Sequence, residues 1–209
     1  MKPLQLTALR AATERHGVRP SEVSPVGNFY VNFTTRGSDQ ATVGKCLRAA
    51  KRKAYVSPTV DDVTVFYDQD ADKQDESVTI ALGKFVSKSL KSPVMATLNH
   101  DDDVLCYWLF EAGKVADKYN SCPGCFTGDD EPPSGGNPKK LCAAFGVSTK
   151  AKAVDKILHD EEYVFAFERH EALATLLKHP WSYACLGYDY ISDRSLAIGI
   201  RKKEFLRIG

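Results

Sequence analysis

The stretch VLCYWLF at residues 104–110 carries apolar side chains at almost every position, so both of its faces are apolar. A strand of this kind is typical of a sheet that is covered on both sides. Turn-forming sequences bound it, with HDDD at 100–103 and EAGK at 111–114. The chain is therefore predicted to form a compact meander whose middle strand is buried on both sides.

Alternating polar and apolar side chains predict further strands on either side of this run. They lie near residues 28–34, 60–68, 93–99 and 115–121, and the run itself supplies the strand at 104–110. Apolar residues at helical spacing predict two helices between the first strands, over 41–56 and 77–91.

This order of elements predicts an α+β fold, in which a mixed β-sheet carries flanking helices and is followed by a mostly helical C-terminal section. Strand–helix–strand units are expected to form right-handed crossovers between parallel strands. The hairpins that follow residue 99 are expected to add antiparallel strands.

A segment rich in Gly, Pro and Asp, TGDDEPPSGGNP at 127–138, is predicted to be a linker or long loop. Residues 1–126 before it are expected to form an α/β sheet domain that begins with a helix over 2–16. Residues 139–209 after it are expected to be mostly helical and to pack on the same core. The strands expected in this section are a strand or strand pair over 181–192 and a last short strand within 196–209.

The net charge of +1 gives no general reason to expect nucleic acid or a membrane as partner. The N-terminal part is basic and the middle is acidic, which is typical of complementary packing within one fold. No apolar run approaches the ~20 residues of a membrane helix, and residues 1–16 lack the apolar core of a secretory signal. The protein is therefore expected to be soluble and cytoplasmic, with most cysteines as free thiols.

Acidic side chains follow two of the predicted strands. If the strands at 60–68 and 93–99 are parallel, their carboxyl ends meet at one edge of the sheet, where ligand sites of open α/β sheets lie. Clustered carboxylates repel one another or bind a cation, so one hypothesis is a divalent-metal site. The other hypothesis is a pair of solvated acidic turns. The candidate metal ligands are Asp68, Asp70, Asp72, His100, Asp101 and Asp102.

The strand at 28–34 is expected to bring Arg36, Ser38 and Asp39 to the same edge. The first acidic loop is not an EF-hand, because Lys73 stands where that loop needs Gly and Thr79 stands where it needs a bidentate Glu.

Cys122 and Cys125 are two residues apart in the sequence Cys-Pro-Gly-Cys. A thioredoxin-like redox pair lies at the start of a helix that follows a strand, and a structural zinc site needs about four ligands. Here the pair leads into the Pro- and Gly-rich segment, and the other cysteines are isolated. Zinc binding and redox chemistry both stay open, while a turn that holds two thiols is favoured.

Basic side chains cluster on the predicted helix over 41–56. Lys45, Arg48, Lys51 and Arg52 form a candidate patch for anions or nucleic acid. No nucleic-acid recognition motif accompanies the patch, so a solvated helix face is favoured and nucleic acid is not an expected partner.

The sequence contains no complete catalytic motif: Gly-x-Ser-x-Gly, His-Glu-x-x-His, the P-loop and Gly-x-Gly-x-x-Gly are all missing. His170 and Glu171 are expected to form a surface pair on a helix. No catalytic residue is therefore assigned, and an enzyme is not the favoured class.

Four segments together resemble a family of bacterial proteins for which no activity is established. They are LNHDDDVLCYWLFEAGKVADKYNSCPGCF at 98–126, LCAAFG at 141–146, EYVFAFERHEALATLL at 162–177 and LGYDYIS at 186–192. In that family a similar meander ends in a similar Ser-x-Pro-x-aromatic turn, and neither cysteine of the turn is a fixed feature. No catalytic residue is carried over from that family, and the resemblance does not cover residues 1–60.

We expect a non-enzymatic protein-binding protein, immunity-like or defence-associated, with an unidentified protein as its partner. No cofactor is expected under this hypothesis. The alternative is a divalent-metal-dependent hydrolase or nuclease that uses the acidic cluster at the edge of the sheet.

Overall fold

The computed structural model describes residues 27–129, 131–160, 162–193 and 200–209. The helix expected over residues 2–16 lies outside the described residues. The strands are β1 (Tyr30–Arg36), β2 (Ala54–Val56), β3 (Val63–Asp68), β4 (Val94–His100), β5 (Val104–Glu111), β6 (Lys114–Asn120), β7 (Ser134–Gly135) and β8 (Leu206–Ile208). They form one sheet in the order β7-β6-β5-β4-β1-β3-β2-β8.

Helices connect the strands and make up most of the C-terminal third of the chain. They are α1 (Gln40–Ala49), α2 (Glu76–Leu90), α3 (Pro138–Ala144), α4 (Ala151–His159), α5 (Ala166–Leu176), α6 (Trp181–Ala184) and α7 (Tyr188–Ser192). Short 3₁₀ turns lie at Ala71–Lys73, Ser148–Lys150 and Lys202–Glu204. The predicted α+β class and the five predicted strands are confirmed.

The expected parallel pairs are wrong, because every pairing in the sheet is antiparallel. Residues 54–56, predicted as the end of a helix, form β2, and this strand adds a reversal of direction before β3. Each helical crossover therefore skips one strand. β1 and β2 run in the same direction with β3 between them, and β3 and β4 do so with β1 between them. This is the split β-α-β connectivity of ferredoxin-like sheets.

Both faces of the sheet are covered, as the sequence of β5 requires. On one face, α1 and α2 pack on Val31, Phe33, Phe66 and Phe110. On the other face, α3, α4 and α5 pack on Met95, Tyr107 and other side chains of β4 to β6. The residues of β5 alternate between these two layers, so the run of apolar side chains follows directly from its central place.

The segment 181–192 is helical, so the strand or strand pair expected there is wrong. Pro180 begins a first helical turn at α6, and α7 follows Gly187. The aromatic residues that suggested a strand instead fill a third apolar cluster against β2 and β3, in which Tyr188 and Ile191 are buried three positions apart on one face of α7. The last short strand is confirmed as β8, which pairs with β2.

The segment 127–138 is joined to the sheet at its C-terminal end. Ser134 and Gly135 pair with Asn120 and Tyr119 as β7, and the amide of Gly136 donates to the carbonyl oxygen of Lys118. Beyond it, α3 to α5 share their apolar cluster with β4, β5 and β6.

Across the four described ranges, no helix combines the length and the apolar character needed to cross a bilayer.

Candidate functional site

The predicted metal ligands occupy one end of the sheet. β3 and β4 point the same way, so Asp68 and His100 both end strands at this edge. Arg36 does not join them, because β1 runs in the opposite direction and ends at the far edge. Asp39 also lies away from this edge, where its side chain caps α1 by accepting from the amide of Thr42.

Asp68 is buried, and both oxygens of its carboxylate accept hydrogen bonds from protein donors. Arg52 donates to both oxygens, from Nε at 2.8 Å and from Nη2 at 2.5 Å. The backbone amides of Asp70 and Ala71 donate to Oδ1 at 3.1 and 3.0 Å. Three of these four contacts fall on Oδ1 and one falls on Oδ2, so Oδ1 is saturated while Oδ2 keeps one acceptor position.

The two other carboxylates of the first loop also contact protein groups. Asp70 is exposed and pairs with Lys73 at 3.0 Å, which lowers the pKa of its carboxyl. Asp72 accepts from the amides of Val31 and Asp189, both at 2.9 Å, and so joins β1 to the start of α7. Burial raises the pKa of Asp72 to about 6.

The turn between β4 and β5 explains two of its three consecutive aspartates. Asp101 and Asp102 have φ values of +54° and +60°, a left-handed conformation that Asp and Asn adopt more readily than most residues. Asp102 accepts from the amide groups of Asn28 at 2.8 Å and Asn99 at 2.9 Å. His100 contacts Gln74 through Nδ1 at 2.5 Å.

Within the described ranges, no group of three or more His, Cys, Asp or Glu side chains is arranged to hold a metal ion. The divalent-metal site, and the hydrolase or nuclease that would use it, stay predictions.

The basic patch is divided by its contacts. Lys45, Arg48 and Lys51 are exposed on α1 and on the turn that follows it. Arg52 belongs to the edge of the sheet instead, through its two bonds to Asp68 and a contact of 3.4 Å with Asp70. Arg52, predicted to belong to the basic patch, thus pairs with Asp68, predicted to be a metal ligand.

Cys122 and Cys125 form a disulfide within the turn that follows β6. The turn is not the start of a helix, and the four other cysteines are free thiols that lie elsewhere in the fold. Zinc binding by this pair stays a prediction that requires the reduced form.

A groove of about 520 Å³ opens beside this disulfide. It is lined by Ser121 and Cys122, by the segment 131–133, and by residues 163–165, which lead into α5. Asp103 lies at its rim. The amide of Ala166 donates to the carbonyl oxygen of Asp102 at 2.6 Å, so the acidic turn anchors the first residue of α5.

Two large apolar side chains are exposed on the groove itself, and a third is exposed in the disulfide turn that contributes Cys122 to the groove. Val164 is 74 % and Phe165 is 52 % exposed on the groove wall, and Phe126 is 75 % exposed in the disulfide turn. Phe126 packs edge-on against His100 at 5.3 Å between ring centroids, and Phe29 contacts the same imidazole at 5.0 Å. We call the groove with Phe126, Val164 and Phe165 the groove surface.

Arg169 also lines the groove, and it joins α5 to the end of α4. Its guanidinium donates to the carbonyl oxygens of Ile157, Leu158 and Asp160 at 2.7 to 2.8 Å, and so satisfies the C-terminal end of α4. It also donates to the hydroxyl of Tyr119 at 3.1 Å. Burial raises the pKa of Tyr119 to about 12, although the neighbouring guanidinium acts in the opposite direction.

A buried polar network lies between β1 and α5, and the sequence did not indicate it. His170 was expected at the surface, but it is buried and its Nδ1 lies 2.7 Å from the hydroxyl of Tyr30 and 3.7 Å from Sγ of Cys185. Burial lowers the pKa of His170 to about 4 and raises that of Cys185 to about 12. Both groups are therefore neutral near pH 7, and the pair lacks the thiolate that a cysteine nucleophile needs.

The sequence did not indicate the burial of Tyr30 and His170 or the exposure of the groove surface, and the reason is the same for both. Tyr30 occupies a polar-looking position of an alternating strand, and His170 follows the charged residue Arg169 on a helix. Only the packing of α5 on the sheet buries both side chains. In the same way, Val164 and Phe165 lie in the section predicted to be mostly helical, and the sequence did not indicate that they would be exposed ahead of α5.

No model of a known protein family, no curated protein and no solved structure matches this chain.

Proposed function

We propose that this protein is a non-enzymatic binding module, and that the groove surface takes up a short segment of a partner protein. The segment carries Lys or Arg together with large apolar side chains. An immunity-like or defence-associated protein, which acts by binding another protein, is the kind of molecule that such a surface serves.

The observation that carries this proposal is the exposure of Val164 and Phe165 on the wall of the groove. Large apolar side chains that are grouped and exposed mark interaction surfaces, whereas single ones are ordinary. Phe126 is a further exposed apolar side chain in the disulfide turn that contributes Cys122 to the groove. A peptide-sized groove between two loop walls suits an extended segment better than a flat domain face.

Charge supports the choice of a basic segment. Asp103 and Glu131 line the groove and are exposed, whereas the guanidinium of Arg169 is enclosed by carbonyl oxygens. Asp101 and Asp129 add exposed carboxylates on the neighbouring turns. An acidic rim attracts Lys and Arg side chains and disfavours acidic segments, which gives selectivity more than affinity.

The test is an array of twelve-residue peptides that combine Lys or Arg with Leu, Phe or Trp. A matched array carries Glu in place of every basic residue. We expect the fluorescently labelled protein to bind members of the basic array and not their acidic counterparts. Equal binding to both arrays, or no binding to the basic array, overturns the proposal.

Variants then locate the binding surface. We expect Phe165→Ser to weaken the best array peptide about tenfold or more, as loss of a central aromatic anchor does. Phe85→Ser is the matched control, since Phe85 is a similarly exposed Phe on α2, on the opposite side of the sheet. Glu131→Lys should weaken the same peptide, whereas Glu111→Lys, at the other end of β5, should not. If both Phe variants bind alike, the groove surface is not the site.

A further inference from the structure

We propose that the Cys122–Cys125 disulfide is a site of reversible thiol–disulfide exchange that controls the groove surface. In the oxidised form the disulfide restrains the turn that lines the groove, and reduction by a dithiol removes this restraint. This inference rests on the proposed function, because it names the regulation of the same surface.

The position of the bond is the first observation. Cys122 lines the groove beside Ser121, and Phe126 directly follows Cys125. The disulfide therefore lies between the groove wall and one of the three exposed apolar side chains of the groove surface.

The hydrogen bonds of the turn show what the disulfide connects. Its first half is fixed to the sheet: the amide of Ser121 donates to the carbonyl oxygen of Leu105, and the amide of Leu105 donates to Oγ of Ser121. The amide of Cys122 donates to Oδ1 of Asn120 at 2.9 Å.

The second half of the turn bonds mainly to itself. The amides of Thr127 and Gly128 donate to the carbonyl oxygen of Gly124, and the hydroxyl of Thr127 donates to Asp129. Besides the main chain through Pro123 and Gly124, the disulfide and a hydrogen bond from the amide of Cys125 to the carbonyl oxygen of Cys122, at 3.3 Å, join the half that the sheet holds to the half that carries Phe126. That second half continues into residues 131–133, which line the same groove wall.

Reduction can act on this bond without involving the other cysteines. Cys125 is exposed, whereas Cys46 and Cys142 are buried thiols. Burial raises the pKa of both Cys106 and Cys185 to about 12, so these thiols are not thiolates at neutral pH.

The exchange needs a dithiol as its electron donor. A thiolate of the donor attacks Sγ of the exposed Cys125, the S–S bond breaks, and Cys122 leaves as a thiolate that takes up a proton. The second thiol of the donor then attacks the mixed disulfide and releases Cys125. The donor ends as a disulfide, and two electrons and two protons have passed to the protein.

The consequence is a change in the shape of the groove. Without the bond, the half that carries Phe126 keeps its internal hydrogen bonds, the hydrogen bond from the amide of Cys125 to the carbonyl oxygen of Cys122, and the contact of Phe126 with His100. We expect the reduced form to bind the best basic array peptide about tenfold more weakly, since a short cross-linked loop restricts the chain by about that factor.

The experiment measures the turn and the binding separately, on the full chain with and without dithiothreitol. Hydrogen exchange should become faster in residues 121–133 on reduction and stay unchanged in β4. Mild reduction followed by alkylation and mass spectrometry should label Cys122 and Cys125 before the four other cysteines. Peptide affinity, measured by fluorescence anisotropy, should fall in the reduced protein and return after reoxidation.

A variant removes the need for a reductant. Cys122→Ser with Cys125→Ser should bind like the reduced protein under all conditions, and Cys106→Ser should keep the redox response. Unchanged exchange in residues 121–133 overturns the inference, whatever the peptide does. Equal peptide affinity of both redox forms also overturns it. If neither form binds any basic array peptide while exchange responds to reduction, the proposed function fails and control of this groove fails with it.

Discussion

Asp68 has the contacts of a residue that holds the fold together. Its four donors come from one side chain and two backbone amides, and its side chain is only 1 % exposed while that of Arg52 is 24 % exposed. A partly buried pair of this kind is weak evidence for net stabilisation, but removal of Asp68 leaves Arg52 with only its contact to the exposed Asp70 and leaves the two amides without this acceptor.

We therefore expect Asp68→Ala to lower the free energy of unfolding by about 3 kcal/mol. Asp70→Ala is the control, because Asp70 contacts the same Arg52 from an exposed position, and its loss should change stability by less than about 0.5 kcal/mol. Urea unfolding at pH 7 measures both. If the two variants are equally stable and Asp68→Ala instead abolishes Mg²⁺ or Mn²⁺ binding in calorimetry, Asp68 is a metal ligand.

Two buried histidines and one buried carboxyl group determine how the stability of the fold changes on acidification. The pKa of His170 is lowered to about 4 and that of His179 to about 3, both by burial. Their contribution to stability is therefore complete above the unfolded value of about 6.5 and is lost as the pH falls. Asp72 acts in the opposite sense, because its pKa is raised to about 6 and its contribution is lost as the pH rises through that value.

Between about pH 6 and pH 5 the unfolded chain thus binds two protons on these histidines, and the folded protein binds one on Asp72. We expect stability to fall by about 1.4 kcal/mol per pH unit on acidification over this range. Asp72→Asn should be less stable at all these pH values but should lose stability about twice as steeply. Urea unfolding in steps of pH measures both slopes, and a variant slope no steeper than that of the parent contradicts the assignment to Asp72.

At the scale of elements, two glycines show how closely the helices approach the sheet. A Cβ added at Gly83 of α2 would overlap the ring of Phe110, which is fully buried in β5. A Cβ added at Gly44 of α1 would lie 2.5 Å from Cδ2 of Leu206, a half-buried side chain on the edge strand β8. The ring has nowhere to move, whereas the end of Leu206 can turn away.

We therefore expect Gly83→Ala to destabilise the protein by about 2 kcal/mol, although Ala favours a helix by about 1 kcal/mol over Gly. Gly44→Ala should stay within about 1 kcal/mol of the parent, because the same gain in helix propensity offsets a contact that relaxes. Thermal or urea unfolding of the two variants side by side checks the contrast. Equal destabilisation would show that α1 packs as rigidly as α2.

Several elements could be placed from the sequence, because their patterns reflect local geometry. The alternation in β1 and the apolar run of β5 indicate which faces of each strand are buried. The aspartates within 100–103 indicate a turn, because Asp tolerates the left-handed backbone conformation that this turn requires. β2 was missed because three residues carry too little periodicity to be told from a helix end. Because β2 was missed, β1 and β3 were expected to be parallel, whereas they are antiparallel.

At the scale of the whole molecule, the sheet and the C-terminal helices share one apolar cluster. Leu105 and Tyr107 of β5 lie in the same cluster as Leu141 of α3 and Leu173 of α5. Units that share a core unfold together. The segment 127–138 is therefore expected to join two parts of one cooperative unit.

We predict a single unfolding transition with one midpoint from all probes. The variant Trp181→Phe leaves Trp108, buried in β5, as the fluorescent reporter of the sheet, while far-ultraviolet circular dichroism follows the helices. The two curves should coincide in urea. Separate midpoints would instead indicate that residues 1–126 and 139–209 unfold as two domains.

The sequence by itself determined the α+β class, the five main strands and the position of the acidic turns, because these depend on side-chain periodicity and turn chemistry close in the chain. Tertiary structure alone decided strand order and direction, the pairing of Arg52 with Asp68, the burial of His170, and the meeting of the disulfide turn with residues 163–165. Each of these joins residues far apart in sequence. Whether a carboxylate, an imidazole or a phenylalanine is exposed depends on what the fold brings against it, and no local pattern contains that partner.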